Sequence, residues 1–180
     1  MRIIGVDPGN AVTGFGIVER GGSLRHIAAG TIRTGGMVRG PERLALIYEK
    51  LVAIIDTHRP LVMSLERSFV ALNVQSAFAL GEARAVAMLA AAHRGLPLFE
   101  YTPTDVKLSI AGYGRAVKSQ VKMMVRRTLS LDADVELADD AGDALAIALC
   151  HLFRAKLPAA PTRRSARRPA RSIIDARASE

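Results

Sequence analysis

Apolar positions fall in short runs near the start of the chain and later recur at helical spacing, and this change of period predicts the elements. Residues 2–7, Arg-Ile-Ile-Gly-Val-Asp, form a short apolar run stopped by Pro8-Gly9, as expected of a buried strand. Residues 13–19 alternate around Phe15 and Ile17, with a small Gly14 and Gly16 pair among them. Gly21-Gly22 marks a turn, and residues 23–34 contain a third strand. The links are short, so the three strands are expected to be antiparallel neighbours.

The period then lengthens. Pro41 stands where proline opens a helix, and Leu44, Ile47, Tyr48, Leu51, Ile54 and Ile55 recur on one helical face up to Pro60. Residues 61–65, Leu-Val-Met-Ser-Leu, predict a fourth strand with Glu66 at its C-terminal end. Asn73 can cap an Ala-rich helix reaching about His93, which Gly95 stops. Residues 96–101 predict a fifth strand, and Thr104 is the expected cap of a helix over 105–111. Gly112 and Gly114 interrupt the chain, helix resumes over 116–129, and a last helix is expected from about Asp140 to Lys156. Strands that alternate with helices favour parallel pairing through right-handed crossovers. The expected class is α/β, a five-stranded mixed sheet with helices on both faces.

Composition adds exclusions. One cysteine, Cys150, excludes an intramolecular disulfide framework and a Cys-rich zinc site, and fits a reducing compartment. The longest apolar run, residues 85–92, is far too short for a membrane span, and Asp7 interrupts the N-terminus too early for a signal peptide. A cytoplasmic protein without a membrane partner is expected. Beyond Pro158 the pattern is lost: residues 158–180 carry six Arg and no helical or strand period, and are read as a mobile basic tail. One domain over residues 1–157 is left.

The net charge of +8 divides unevenly. The tail holds +4, residues 132–143 hold six acids and no base for −6, and the remainder holds 19 bases against nine acids for +10. A basic body suggests a polyanionic partner. Four acids stand out within the acidic and apolar segments. Asp7 and Glu66 each end an apolar strand, while Asp140 and Asp143 share one face of the last helix at i, i+3 spacing. Singly, three of them have a plain explanation: a helix cap for Asp140, a surface position for Asp143, a salt bridge for Glu66. Gathered together they repel, and such a cluster needs a cation. Oxygen-only ligands favour Mg²⁺ or Mn²⁺ over Zn²⁺, and paired ions suit in-line phosphoryl displacement.

These segments carry a resemblance. Ile4-Gly5-Val6-Asp7-Pro8-Gly9, Thr13-Gly14-Phe15-Gly16, Glu66-Arg67-Ser68-Phe69, Phe99-Glu100-Tyr101, Val117-Lys118-Ser119-Gln120-Val121 and the run from Asp140 to Ala148 resemble the RuvC family, the bacterial crossover junction endodeoxyribonucleases or Holliday junction resolvases. The resemblance spans residues 1–157 in order. It implies a ribonuclease H-like fold and a Mg²⁺-dependent homodimer that resolves four-way DNA junctions by symmetric paired nicks with 5′-phosphate ends, in recombination and repair. It further implies two ions per site, with Mn²⁺ able to substitute, and a branch-migration motor complex as partner. Its catalytic and metal-binding carboxylates fall on Asp7, Glu66, Asp140 and Asp143. Its DNA-binding positions fall on Phe69, against an unpaired junction base, and on Lys107 and Lys118, near the scissile phosphate. Asp139 is a fifth acid that sequence alone could confuse with Asp140, although only Asp140 has the i, i+3 relation to Asp143. Two alternatives stand beside this reading. One is a non-catalytic DNA-binding module. The other is an ATP-binding phosphotransferase of the actin and sugar-kinase type, which typically needs two such domains and a second phosphate loop, for which 180 residues leave no room.

Overall fold

The β1 strand (Arg2–Asp7) forms the centre of the sheet and sends alternate side chains into two separate apolar layers. The computed structural model describes residues 1–9, 11–35, 40–67, 74–132 and 134–155. After β1 come β2 (Val12–Arg20), β3 (Leu24–Arg33), α1 (Gly40–His58), β4 (Val62–Glu66), α2 (Val74–His93), β5 (Leu98–Tyr101), α3 (Pro103–Ala111), α4 (Lys118–Thr128) and α5 (Asp139–Arg154). The sheet order is β3-β2-β1-β4-β5. The first three strands pair antiparallel, and β1–β4 and β4–β5 pair parallel. The expected five-stranded mixed sheet is thus observed.

Strand periodicity assigns each residue to a layer. Ile4 and Val6 pack with Met63 and Leu65 against Ile47, Leu51 and Ile55 of α1 and Ala83, Ala87 and Ala90 of α2. Ile3 packs in the opposite layer with Val106 and Ile110 of α3, Val121 and Val125 of α4, and Leu145 and Leu149 of α5. Helices therefore cover both faces. Each such aliphatic side chain contributes about 1.5–3 kcal/mol when buried. Parity also places Asp7, two residues beyond Gly5, on the α5 face. In β4, Ser64 donates to the carbonyl of Ile147 in α5 at 3.3 Å, so Glu66, two residues on, shares that face.

The α5 helix lies against the sheet with no room for a side chain between. A Cβ at Gly5 would stand 2.1 Å from the Ala144 carbonyl oxygen, and one at Gly14 would stand 2.0 Å from that of Asp140. At Gly16 it would stand 2.6 Å from the Leu145 nitrogen. These are backbone atoms, which cannot yield without moving the whole helix. The three glycines set the height of α5 and hence of its first turn.

The elements fall where expected, but some of their ends differ, and β5 starts at Leu98 rather than 96. The cap of α3 is Thr102, not Thr104. Its hydroxyl accepts from the Asp105 nitrogen at 3.1 Å, and Asp105 accepts from the Thr102 nitrogen at 3.0 Å. That reciprocal box needs partners three positions apart, and Pro103 takes the first helical position, which displaces the start by two residues. The fourth helix begins at Lys118 rather than 116, capped through Gln120 reaching back to the Val117 nitrogen. Asn73, Lys156 and the tail at 158–180 lie outside the described residues.

If the glycine contact holds α5 in place, Gly5→Ala should destabilise the protein by roughly 1–3 kcal/mol, as overpacking does. Thermal unfolding should report a lower Tm, with Gly21→Ala, which faces open space, melting as the parent does. Equal melting of Gly5→Ala and the parent would contradict the contact.

Candidate active site

Two adjacent parallel strands end in acids. The β1–β4 register pairs Gly5 with Ser64 and Val6 with Leu65, so Asp7 and Glu66 emerge side by side at the C-terminal edge of the sheet. That edge is where α/β sheets place ligands. The first turn of α5 brings Asp140 and Asp143 over the same edge. The cap of α5 is Ala138, with no side-chain cap hydrogen bond, so Asp140 is not engaged in capping. The helix dipole still favours acids in this turn.

Asp7, Glu66 and Asp143 line one open cleft of about 420 Å³ together with Lys107 and Lys118. Five of the seven residues singled out in the sequence thus meet in one place. Asp140 stands just behind, over Gly14, which pairs with Asp7 across β1 and β2. Phe69 lies outside the described residues.

The electrostatics are strained. Burial first, then the charges of Glu66, Asp143 and Asp140, raise the Asp7 carboxyl from 3.8 to about 8. Burial and Asp143 also raise Glu66, while Lys118 and Lys107 oppose the rise. The Lys118 Nζ donates to Asp143 Oδ2 at 2.9 Å, and this bond holds the ammonium above its usual range. Asp139 is turned elsewhere: it is exposed and accepts from Lys122 Nζ at 2.6 Å, which keeps its carboxyl low. Of the two neighbours, it is Asp140 whose charge acts on Asp7, while Asp139 pairs with Lys122.

The donor set facing the cleft is carboxylate oxygen with no thiol or imidazole, which suits a hard divalent cation rather than zinc. Among the described residues, no three His, Cys, Asp or Glu side chains are gathered tightly enough to ligate one ion. The acids are instead near enough to raise one another and are partly neutralised by lysine. Added positive charge would relieve that strain.

Sequence reasoning did not assign Arg84. From α2 its Nη1 donates to the carbonyl oxygen of Glu66 at 2.6 Å, and its Nη2 pairs with Glu100 of β5. The only hint was Glu100, an acid within the short fifth strand.

Comparison with known proteins points one way. The family model described as crossover junction endodeoxyribonuclease RuvC matches residues 3–151. The RuvC of Alkalilimnicola ehrlichii is 48% identical over 161 residues, covering 88% of this chain and 94% of that protein. The RuvC of Thermotoga petrophila is 42% identical over 157 residues, covering 87% and 94%. Among solved structures, Thermus thermophilus RuvC in complex with a Holliday junction substrate superposes with a TM-score of 0.80 at 32% identity, covering 85% of this chain and 93% of that one. The yeast mitochondrial Holliday junction resolvase Ydc2 shares the fold, with a TM-score of 0.59 at 13% identity, covering 84% and 78%.

The raised Asp7 has a consequence for stability. Below pH 3.8 both folded and unfolded chains hold the proton. Between 3.8 and about 8 the folded chain retains a proton that the unfolded chain has lost, so stability falls as pH rises, and above 8 the loss is complete. In buffer free of divalent cations, Asp7→Asn should remove this slope and raise the Tm at pH 7.5 by several degrees. Superimposable melting profiles of parent and variant from pH 5 to 8 would refute the strain.

Proposed function

The chain belongs to the RuvC family of crossover junction endodeoxyribonucleases and has its ribonuclease H-like fold, and we propose that it resolves four-way DNA junctions by metal-dependent phosphodiester hydrolysis. The observation that carries the reading is the convergence of Asp7, Glu66 and Asp143 with Lys107 and Lys118 in one cleft, with Asp140 behind them. Neither the pure DNA-binding module nor the nucleotide phosphotransferase is favoured. A pure binder would gain affinity by lacking the acids, and the family model that matches residues 3–151 is that of an endodeoxyribonuclease, not of a phosphotransferase.

Asp7, Glu66, Asp140 and Asp143 are the oxygen donors that would hold Mg²⁺, or Mn²⁺ in its place. Two such ions would supply Lewis-acid activation of water and neutralisation of charge at the leaving oxygen. The chain's own residues do the rest. Asp7 and Glu66, fixed on neighbouring strands, define one side of the site, and α5 holds the other at a set height. Lys107 and Lys118 place positive charge at the cleft, where a scissile phosphate would bind. Cleavage with a 5′-phosphate and a 3′-hydroxyl leaves ends that a ligase can join. Phe69 follows Glu66 by three residues and is assigned to stacking on an unpaired junction base, a contact of about 1–3 kcal/mol.

A junction with two-fold symmetry requires two sites related by two-fold symmetry, which a homodimer supplies. The α2 helix buries Ala83, Ala87 and Ala90 against the sheet and turns an apolar stripe outward. Val74 and Phe78 on that stripe are 72% and 70% exposed, and Ala77, Gly81 and Ala85 form a shallow groove beside them. An exposed apolar patch of this kind indicates an interface, and we assign it to the second copy. The resulting cytoplasmic enzyme would work beside a branch-migration motor.

Incubation with a synthetic four-way junction and Mg²⁺ should give paired, symmetric nicks, with linear duplex left uncut. Asp7→Asn should lose cleavage while retaining junction binding, and undiminished cleavage by this variant would overturn the site assignment. Phe78→Asp should shift the protein from dimer toward monomer in sedimentation velocity. An unshifted profile would remove α2 as the seam.

A further inference from the structure

We propose that Arg84 and Glu100 form a positioning device that fixes the end of β4, and through it the Glu66 carboxylate, at the setting the cleft requires. The proposal rests on Glu66 being one of the working carboxylates. Four observations support it.

The first is reach. Arg84 projects from α2, and its largely buried side chain (17% exposed) contacts two other elements at once. One arm of the guanidinium donates to the main-chain oxygen of Glu66 at 2.6 Å, and another pairs with Glu100 on β5. The planar fork of arginine suits such a double grip, whereas a lysine point charge does not.

The second is location. The β4–β5 register places Leu65 beside Glu100 and Glu66 beside Tyr101, and the Arg67 nitrogen donates to the Tyr101 oxygen at 2.8 Å. The grip is therefore applied at the last residue of β4, where the strand ends. The gripped carbonyl and the Glu66 side chain share one Cα. Any rotation of that peptide redirects the carboxylate that lines the cleft with Asp7 and Asp143.

The third is cost. A largely buried guanidinium is costly to leave unpaired, so Arg84 is not a passive surface group. Glu100 offsets that cost, and without it the fork has no anionic anchor among its described contacts.

The fourth is the absence of any direct contact with the cleft. Neither Arg84 nor Glu100 lines it, and of the cleft's carboxylates Glu66 is the one whose main chain Arg84 holds, so Glu66 is the route by which either would act. Outer partners that orient ligating carboxylates typically contribute about 10- to 100-fold in metal affinity or activity.

The test uses the full chain with Glu100→Gln, Arg84→Lys and Glu66→Gln, and the double variant Glu66→Gln/Glu100→Gln. Mn²⁺ affinity is measured by electron paramagnetic resonance of the free ion, single-turnover cleavage at saturating enzyme, junction affinity without divalent cation, and thermal unfolding. Glu100→Gln is expected to weaken Mn²⁺ binding and slow single-turnover cleavage by about 10- to 100-fold, with junction affinity unchanged and cleavage partly restored by excess Mg²⁺. In the Glu66→Gln background the same change should cause no further loss. Arg84→Lys should follow Glu100→Gln. Should Arg84→Lys fail to fold, Glu100→Gln alone carries the test. Wild-type Mn²⁺ affinity and rate in Glu100→Gln, with Glu66→Gln impaired, would overturn the positioning role alone. So would losses that only track a reduced folded fraction. Wild-type behaviour of Glu66→Gln would remove Glu66 from the site and the device with it.

Discussion

The height of α5 above the sheet governs this molecule. Gly5, Gly14 and Gly16 leave the helix backbone in contact with β1 and β2, at distances where even one methyl group would collide with a carbonyl or amide. Because packed interiors have little free volume, that contact is rigid. It sets where the first turn of α5 ends and so where Asp140 and Asp143 stand relative to Asp7. A gap of one side chain would carry those acids away from the strand ends. The arrangement of the acids is in this sense a packing result before it is an electrostatic one.

The acids so placed are in a state the chain alone does not relieve. Asp7 is driven up to about 8 by burial and by three neighbouring carboxylates. Lys118 bonds Asp143, and Lys107 and Lys118 temper Glu66. The lysines lessen the repulsion without ending it. A site that concentrates negative charge against a basic surround is suited to collecting cations and then a polyanion. The cluster costs folding stability when it holds no ligand, and the chain would be more stable with the acids removed.

The second helix links this site to the remainder of the molecule. One of its faces closes the core with alanines, its outer face exposes Val74 and Phe78, and Arg84 reaches from it to the end of β4. The proposed seam and the proposed positioning device therefore share one rigid element. In the proposed dimer the interface and the carboxylate support would lie on the same helix.

Periodicity carried most of the fold. The change from period two to period 3.6 locates the strands and helices, and short links against helical crossovers distinguish antiparallel from parallel pairing. Local chemistry placed the ends less well: Thr104 looked like the cap of α3, but the reciprocal bond between Thr102 and Asp105 decided it. For the site, spacing along the chain related Asp140 to Asp143, while only packing separated Asp140 from Asp139, because the two neighbours leave the helix in different directions. The cleft itself joins residues from β1, β4, α2, α3, α4 and α5. Arg84 and Glu100 lie 16 positions apart on a helix and a strand, and no local pattern marks their pairing. What the sequence determined by itself were the properties that depend on neighbours in the chain: strand faces, helix faces and the family's motifs. Which charges meet, and which are left strained, was decided by tertiary structure, since electrostatic energy depends on distance and burial rather than on order along the chain.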